Sequence, residues 1–224
     1  MIAAASDIHS PRYLNEFLAS LHKLSNLSID LFLLAGDLTD KGEVKFFDPI
    51  YSFFKKFKVV SVFGNEDVAS KERYKRFFPD IVWLDDEVVE VKVKGKRVAI
   101  VGSEGVLERP TLWQATHGVN EEFYRKREKK IEELLCGLDA DYKILLTHYL
   151  PTYETAYGER KDIYPELGSR LLERISCLPN VAVHGHAHKS KVVFKIVRGV
   201  RVYNVAFPAN KRVVAFNLDP LLGF

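Results

Sequence analysis

Ile2-Ala3-Ala4-Ala5-Ser6-Asp7-Ile8-His9 and Ile29-Asp30-Leu31-Phe32-Leu33-Leu34-Ala35-Gly36-Asp37 share a plan: a short apolar run that stops at a carboxylate. Runs of this length, closed by polar or glycine residues, predict buried strands. Between them Leu14, Phe17, Leu18, Leu21, Leu24 and Leu27 recur at three- and four-residue spacing, which predicts one apolar stripe along a helix after Pro11. Strand, helix and strand in this order imply a parallel pair with a helical crossover. Such sheets gather loop side chains beyond the carboxyl ends of their strands.

The plan continues outward. Residues 58–63, 142–146 and 181–183 are further apolar runs, followed by Gly64-Asn65-Glu66-Asp67, Thr147-His148 and Gly185-His186-Ala187-His188. A second helix is predicted over about residues 43–57, with a kink or break at Asp48-Pro49 because proline cannot donate to the ladder. After Trp83 the chain changes character. Residues 88–94 and 97–102 flank Lys94-Gly95-Lys96 as a hairpin, and residues 192–197, 200–206 and 212–218 repeat the habit around Arg198-Gly199. A second sheet packed on the first, with helices outside, gives a layered α/β sandwich.

The chain has 224 residues, 47% of them hydrophobic, enough for one generous core and without the signature of a disordered or fibrous chain. One domain over residues 1–224 is expected, with a lid segment at about 103–135. Arg125, Lys126, Arg127, Lys129 and Lys130 alternate with glutamates there and read as a solvated helix face. Thirty-three basic against thirty acidic residues leave a net charge of +3, too little to argue for nucleic acid, so a small partner is expected. No apolar run reaches the roughly 18 residues a spanning helix needs, and no leader pattern precedes Asp7, so no membrane is expected and a cytoplasmic location is. Cys136 and Cys177 lack metal-site or redox spacing and read as buried, reduced thiols. High charge content with a single Met1 and a lone Gln114 suits a thermophilic origin.

The clusters carry the chemistry. Asp7 and His9, two apart, share a face of an extended segment and can grip one metal together. Asp37 has two oxygens and can bridge two ions; Asn65 offers an amide oxygen, and His148, His186 and His188 offer neutral imidazoles. A lone histidine after a strand is more often a satisfied hydrogen bonder than a ligand. Here four of the seven histidines fall in such clusters, and bland explanations would have to succeed at every one. Two divalent cations with Asp7, Asp37 and a bridging hydroxide carry about +1, which attracts a phosphate oxyanion, and the hydroxide can attack phosphorus in line.

These residues resemble the calcineurin-like metallophosphoesterases, whose pattern is Asp-x-His, Gly-Asp, Gly-Asn-His with a following acid, His, and Gly-His-x-His. The resemblance runs from Asp7 to His188. It implies a four-layer αββα sandwich of two mixed sheets flanked by helices. Asp7, His9, Asp37 and His188 would hold one metal, and Asp37, Asn65, His148 and His186 the other. The activity implied is metal-dependent phosphoester hydrolysis. Manganese is favoured among manganese, iron, zinc, nickel and cobalt, since mixed oxygen and nitrogen donors suit all five.

The chain departs from this pattern at Glu66, where the family places the histidine thought to protonate the leaving oxygen. A carboxylate beside two cations is ionised and a poor general acid. Its charge would disfavour dianionic monoesters, so a phosphodiesterase is the expectation. Asp67 matches the family's acid and would tie down its loop, while His117 in the lid is a candidate proton donor. His184 is open to a structural hydrogen bond or to substrate contact, and His22 is read as structural. Rival readings are a metal-binding scaffold that acts through protein partners, a phosphomonoesterase, and a nuclease. Substrate selection is expected from residues 103–120 and 151–168.

Overall fold

A computed structural model describes residues 1–219, so the last five residues of the expected 1–224 domain lie outside the described residues. Strand β1 (Ile2–Ala5) leads through α1 (Leu14–His22) to β2 (Leu31–Ala35) and through α2 (Asp48–Phe54) to β3 (Val59–Val62). Helix α3 (Lys71–Phe77) leads on to β4 (Ile81–Leu84). These four strands pair in parallel, and β11 (Val214–Phe216) adds antiparallel beside β1, giving the order β11-β1-β2-β3-β4. The second sheet has the order β5-β6-β7-β8-β10-β9. It contains β5 (Glu87–Val93), β6 (Lys96–Ser103), β7 (Tyr142–Thr147), β8 (Val181–His184), β9 (Phe194–Val197) and β10 (Val200–Asn204). Its interior pairs are parallel and its edge strands β5 and β9 are antiparallel. Both sheets are therefore mixed, as expected.

Strand alternation builds the layers. On β1 and β2, Ile2, Ala4, Leu31, Leu33 and Ala35 face the other sheet and meet Ile100, Ile144, Leu146, Val181 and Val183. Ala3, Ala5, Phe32 and Leu34 point the opposite way, onto Phe17 and Leu21 of α1 and Ile50 and Phe54 of α2. Period-two side chains on strands buried on both faces produce this division. The outer core of the first sheet is aromatic, with Phe32 and Phe54 ring centroids 4.8 Å apart. Truncating Phe32 to Ala would cost about 3–5 kcal/mol as lost transfer energy and cavity. Behind the second sheet, Val101, Leu145 and Ala182 pack on Tyr124, Ile131 and Leu135 of α5 (Glu121–Cys136). Asn120 caps α5 by accepting from the Phe123 amide at 3.0 Å, and Glu121 and Glu122 complement the dipole of the first turn. The remaining helices are α4 (Leu112–Thr116), α6 (Tyr164–Leu167), α7 (Leu171–Arg174) and α8 (Phe207–Asn210).

The break expected at Asp48-Pro49 is present, and three other local readings are corrected. A 3-10 turn over Val44–Phe47 precedes α2, and Pro49 sits in its first turn, where the missing N–H has no partner to lose. Strand β4 and helix α3 were not anticipated, being only 4 and 7 residues long. Arg127 is not on a solvated face: it is 8% exposed and bonded to Asp86 and Glu104. Cys136 and Cys177 are neither reduced nor buried, since they form a disulfide that ties the end of α5 to the segment after α7. Their separation of 41 residues hid the pairing, which only packing behind the second sheet creates. Among the described residues no helix is long and apolar enough to cross a membrane.

Candidate metal centre

The parallel strands of both sheets deliver their carboxyl ends to one edge. There the Ser6 amide donates to Val205 O at 3.1 Å and the Phe207 amide donates to Ser6 O at 2.9 Å, so the chain leaving β1 crosses to the second sheet. Asp7 follows. Its Oδ2 accepts from Ser6 Oγ at 2.5 Å and from the His186 amide at 2.9 Å, while its Oδ1 lies 2.7 Å from His188 Nε2. One carboxylate thus joins the loops after β1 and β8.

Asp37 plays the same part after β2. Its Oδ1 accepts from the Glu66 amide at 2.9 Å, and its own amide donates to Asp67 Oδ2 at 2.7 Å, an oxygen that also accepts from the Gly64 amide at 3.0 Å. Asp67 therefore ties the loops after β2 and β3 together. Two glycines permit the close approach. A Cβ on Gly64 would lie 2.1 Å from Asp37 Oδ1, and one on Gly185 would lie 2.5 Å from Asp7 Oδ2.

His148, at the end of β7, donates from Nδ1 to Ala35 O across the sheets at 2.8 Å. That bond orients the ring and aims Nε2 at Asn65 Oδ1, 2.9 Å away, and Asp37 Oδ2, 3.5 Å away. A neutral imidazole with its proton on Nδ1 presents Nε2 to Asn65 Oδ1 as acceptor to acceptor. Such an arrangement calls for a proton or a cation between them.

The donor set fits metal on the structure's own evidence. Asp7, Asp37, His148 and His186 each place one ligand atom within 4.8 Å of the others, and so do Asp7, His9 and His188. His9, Asp37 and Glu66 form a third such group. Among the described residues, both ring nitrogens of His9 and Nδ1 of His186 are shielded from solvent without a hydrogen-bond partner. Buried polar atoms left this way suit coordination of an ion or ligand. All seven donors expected from the sequence lie at this edge, with Asp37 central.

Burial and neighbouring charges pull these groups in different directions. Burial opposes ionisation of Asp7, yet the imidazoles of His188, His148 and His9 hold its carboxyl far below the usual range. Burial raises Asp37, and burial together with the Asp37 charge pushes Asp67 up to about 7. Burial opposes the charge of His9, but the Glu66 carboxylate and the charges of Asp7 and Asp37 push it up to about 9. His186 moves the other way: desolvation and the His148 charge keep it neutral, the form a metal accepts.

The backbone here is not extended, contrary to expectation. Asp7, His9, Asp37 and His186 all have positive φ, at 54°, 43°, 50° and 66°. The left-handed region costs an L-residue roughly 1–2 kcal/mol, and such residues cluster at functional sites. Tight loops at four positions, rather than strand alternation, turn these side chains inward.

Glu66 is at the site, with its carboxylate engaged by the Lys41 amide and His9. Its Oε2 accepts from the Lys41 amide at 2.5 Å and stands 3.4 Å from His9 Nδ1, which holds the carboxyl below its usual range. His117 is exposed, stacks on Trp113 at 4.1 Å and bonds Trp113 O through Nδ1. His184 is buried, hydrogen-bonded to Thr155 Oγ1 at 2.8 Å, and structural; His22 is exposed on α1. Residues that sequence reasoning did not single out complete the surroundings. The Tyr149 hydroxyl donates to Glu104 Oε1 at 2.9 Å and accepts from Gln114 Nε2 at 3.0 Å. The Tyr149 ring lies 5.4 Å from His148 and 5.1 Å from His186. Only its adjacency to His148 could have flagged it.

A two-sheet sandwich with acidic and imidazole donors gathered at its strand ends defines the metallophosphoesterase class. The chain belongs to the calcineurin-like phosphoesterase family, whose profile matches residues 1–190. Its fold is similar to that of a phosphopantetheinyl hydrolase from Mycobacterium tuberculosis, with TM-score 0.64 and 15% identity over 99% of this chain and 97% of that one. A putative 5'-nucleotidase from Staphylococcus aureus is similar with TM-score 0.60 and 13% identity, over 91% of this chain and 48% of that one. A hypothetical protein from Thermus thermophilus is similar with TM-score 0.58 and 14% identity, over 91% of this chain and 74% of that one. No curated protein matches the chain.

Proposed function

We propose that the protein hydrolyses small phosphodiesters with a pair of divalent metal ions held by Asp7, His9, Asp37 and His188 on one side and Asp37, Asn65, His148 and His186 on the other. The observation that carries this reading is the position of Asp37. It shares one donor group with His148 and His186 and another with His9 and Glu66. When bound, such ions supply Lewis acidity and lower the pKa of water.

The chain's own residues do the rest. Asp7 and Asp37 bring the negative charge that offsets two cations, and their backbone and side-chain hydrogen bonds fix them before any ligand arrives. Preorganised donors of this kind lose little on reorganisation during reaction. His148 is locked by Ala35, so its Nε2 faces Asn65 and the site without a rotamer search. Asn65 is exposed, placed where a substrate oxygen can reach it.

The diester preference rests on Glu66. Its carboxylate is bonded to Lys41 and faces His9, so it offers no proton to a leaving oxygen. Its negative charge stands at the position where the family resemblance implies a proton donor. Substrates with one negative charge and a leaving group that departs unprotonated suit such a site. The test is hydrolysis of bis(p-nitrophenyl) phosphate against p-nitrophenyl phosphate by metal-loaded wild type, Asp37→Asn and Glu66→His. The reading predicts a diester preference in wild type, a shift toward the monoester in Glu66→His, and loss of both activities in Asp37→Asn. Equal turnover of both esters by wild type and Glu66→His removes the diester argument. Metal uptake without any ester hydrolysis favours the scaffold reading instead.

A further inference from the structure

Beside the metal centre lies a cavity of about 410 Å³ whose inner end is formed by Asn65 and His186. A volume of this order accommodates a small organic ligand. Most of its wall comes from the segment after β6 and from α4 and α5, with Lys71 of α3 and Glu166 of α6 completing it, and Trp113 and Phe123 line it although they are 65% and 43% exposed. Two aromatic rings open to water on the wall of one cavity are available to a ligand that enters it.

The cavity has no uncompensated cation to hold a second phosphate. Arg127 is bonded to Asp86 and Glu104, and Lys71 to Asp85, while Glu166 on the same walls is paired with Arg109. A polyphosphate chain would find no free positive partner among these lining side chains. The chemistry on offer is apolar and aromatic.

Trp113 is also held in place. His117 covers one face of the indole at 4.1 Å with an interplanar angle of 23°. Helix α4 is fixed by its capping box, in which Gln114 N donates to Thr111 Oγ1 at 3.3 Å and Thr111 N donates to Gln114 Oε1 at 2.9 Å. The amide of Gln114 then reaches Tyr149, beside His148 and His186. A continuous set of contacts therefore sets the Trp113 platform relative to the metal centre.

We propose that this cavity receives the organic half of the ester and that Trp113, backed by His117, stacks on a planar aromatic group there. The shared chemistry is that of a nucleobase or a simple aryl ring. This inference rests on the hydrolase reading above and names the substrate class for that site. His117 is then a positioning residue for the platform.

Competitive inhibition of diester hydrolysis by three phosphate monoesters tests it on the metal-loaded protein: adenosine monophosphate, phenyl phosphate and glycerol phosphate. All three share the phosphate anchor, and only two carry a ring. Alanine replacement of a stacking aromatic weakens base binding by about tenfold or more. Trp113→Ala should therefore raise the inhibition constant of a ring-bearing ester by about tenfold while glycerol phosphate shifts by less than about twofold. Trp113→Phe should keep most of the affinity. A larger loss for adenosine monophosphate identifies a nucleobase, and a larger loss for phenyl phosphate a simple aryl group. Wild-type indole emission should be quenched by the same ring-bearing ester and not in Trp113→Phe, since Trp83 is buried. Equal shifts for all three inhibitors, or none, overturn the proposal. A metal-loaded wild type that hydrolyses no ester instead overturns the hydrolase reading and this inference with it.

Discussion

Divalent metal should raise the melting temperature of this protein by an amount that depends on Asp37. An ion that binds only the folded state at a hundredfold excess over its dissociation constant stabilises by about 2.7 kcal/mol. Unfolding entropy of about 2.1 cal/mol/K per residue gives about 470 cal/mol/K for 224 residues. One ion then shifts the midpoint by about 6 °C and two by about 12 °C. The structure predicts how variants divide this shift. His188 belongs only to the group with Asp7 and His9, so His188→Ala should lose about half of it. Asp37 is a donor in both proposed ion sets, so Asp37→Asn should lose most of it. The metal-free midpoint of Asp37→Asn should equal or exceed that of wild type, because burial already disfavours the Asp37 charge and an asparagine oxygen can accept from the Glu66 amide. Differential scanning fluorimetry with chelator, then with manganese, zinc, nickel or cobalt, reads every value. A wild-type midpoint that no divalent ion moves, or a full shift in Asp37→Asn, would refute the two-ion arrangement.

Gly64→Ala should reduce hydrolysis by about a hundredfold or more, since the new methyl would displace Asp37 from the centre, and steady-state kinetics with metal analysis would show it. Metal affinity should strengthen as pH rises toward 9: His9 is protonated below its folded pKa of about 9, so binding must expel a proton, which calorimetry in buffers of different ionisation enthalpy would detect. Reduction of the disulfide, or Cys136→Ser, should lower stability by about 4 kcal/mol from the 41-residue loop, or about 8 °C, while leaving ester hydrolysis intact. Activity that disappears together with the disulfide would show α5 to be coupled to the centre more tightly than its contacts indicate.

The candidate metal centre was legible because its donors are polar residues at the ends of apolar runs, a local contrast that survives without any knowledge of packing. Asp7, Asp37, His148 and His186 all stand immediately beyond a strand or within a few residues of one. What escaped notice depends on distance in sequence. Arg127 reads as one charge among many until Asp86 and Glu104, at separations of 41 and 23 residues, draw it inward. Cys136 and Cys177 meet because two segments pack behind the second sheet. Tyr149 and Gln114 carry no motif, and their bond exists only because α4 folds back over β7. Strand β4 is too short for periodicity to declare itself, although its pairing with β3 is regular.

The left-handed conformation of Asp7, His9, Asp37 and His186 has a consequence for how this lineage can drift. Glycine at any of these positions would relax the main chain by roughly 1–2 kcal/mol. At Asp7 and Asp37 it would also strand the His186 and Glu66 amides at a cost of about 1–3 kcal/mol, whereas the unpartnered ring nitrogens of His9 and His186 carry no such cost. A copy released from its duty should therefore lose the two histidines first and keep the two aspartates as ties between loops. Ancestral reconstruction combined with melting curves could follow that order, and a silent copy that kept both His9 and His186 would have to be holding metal for some other reason.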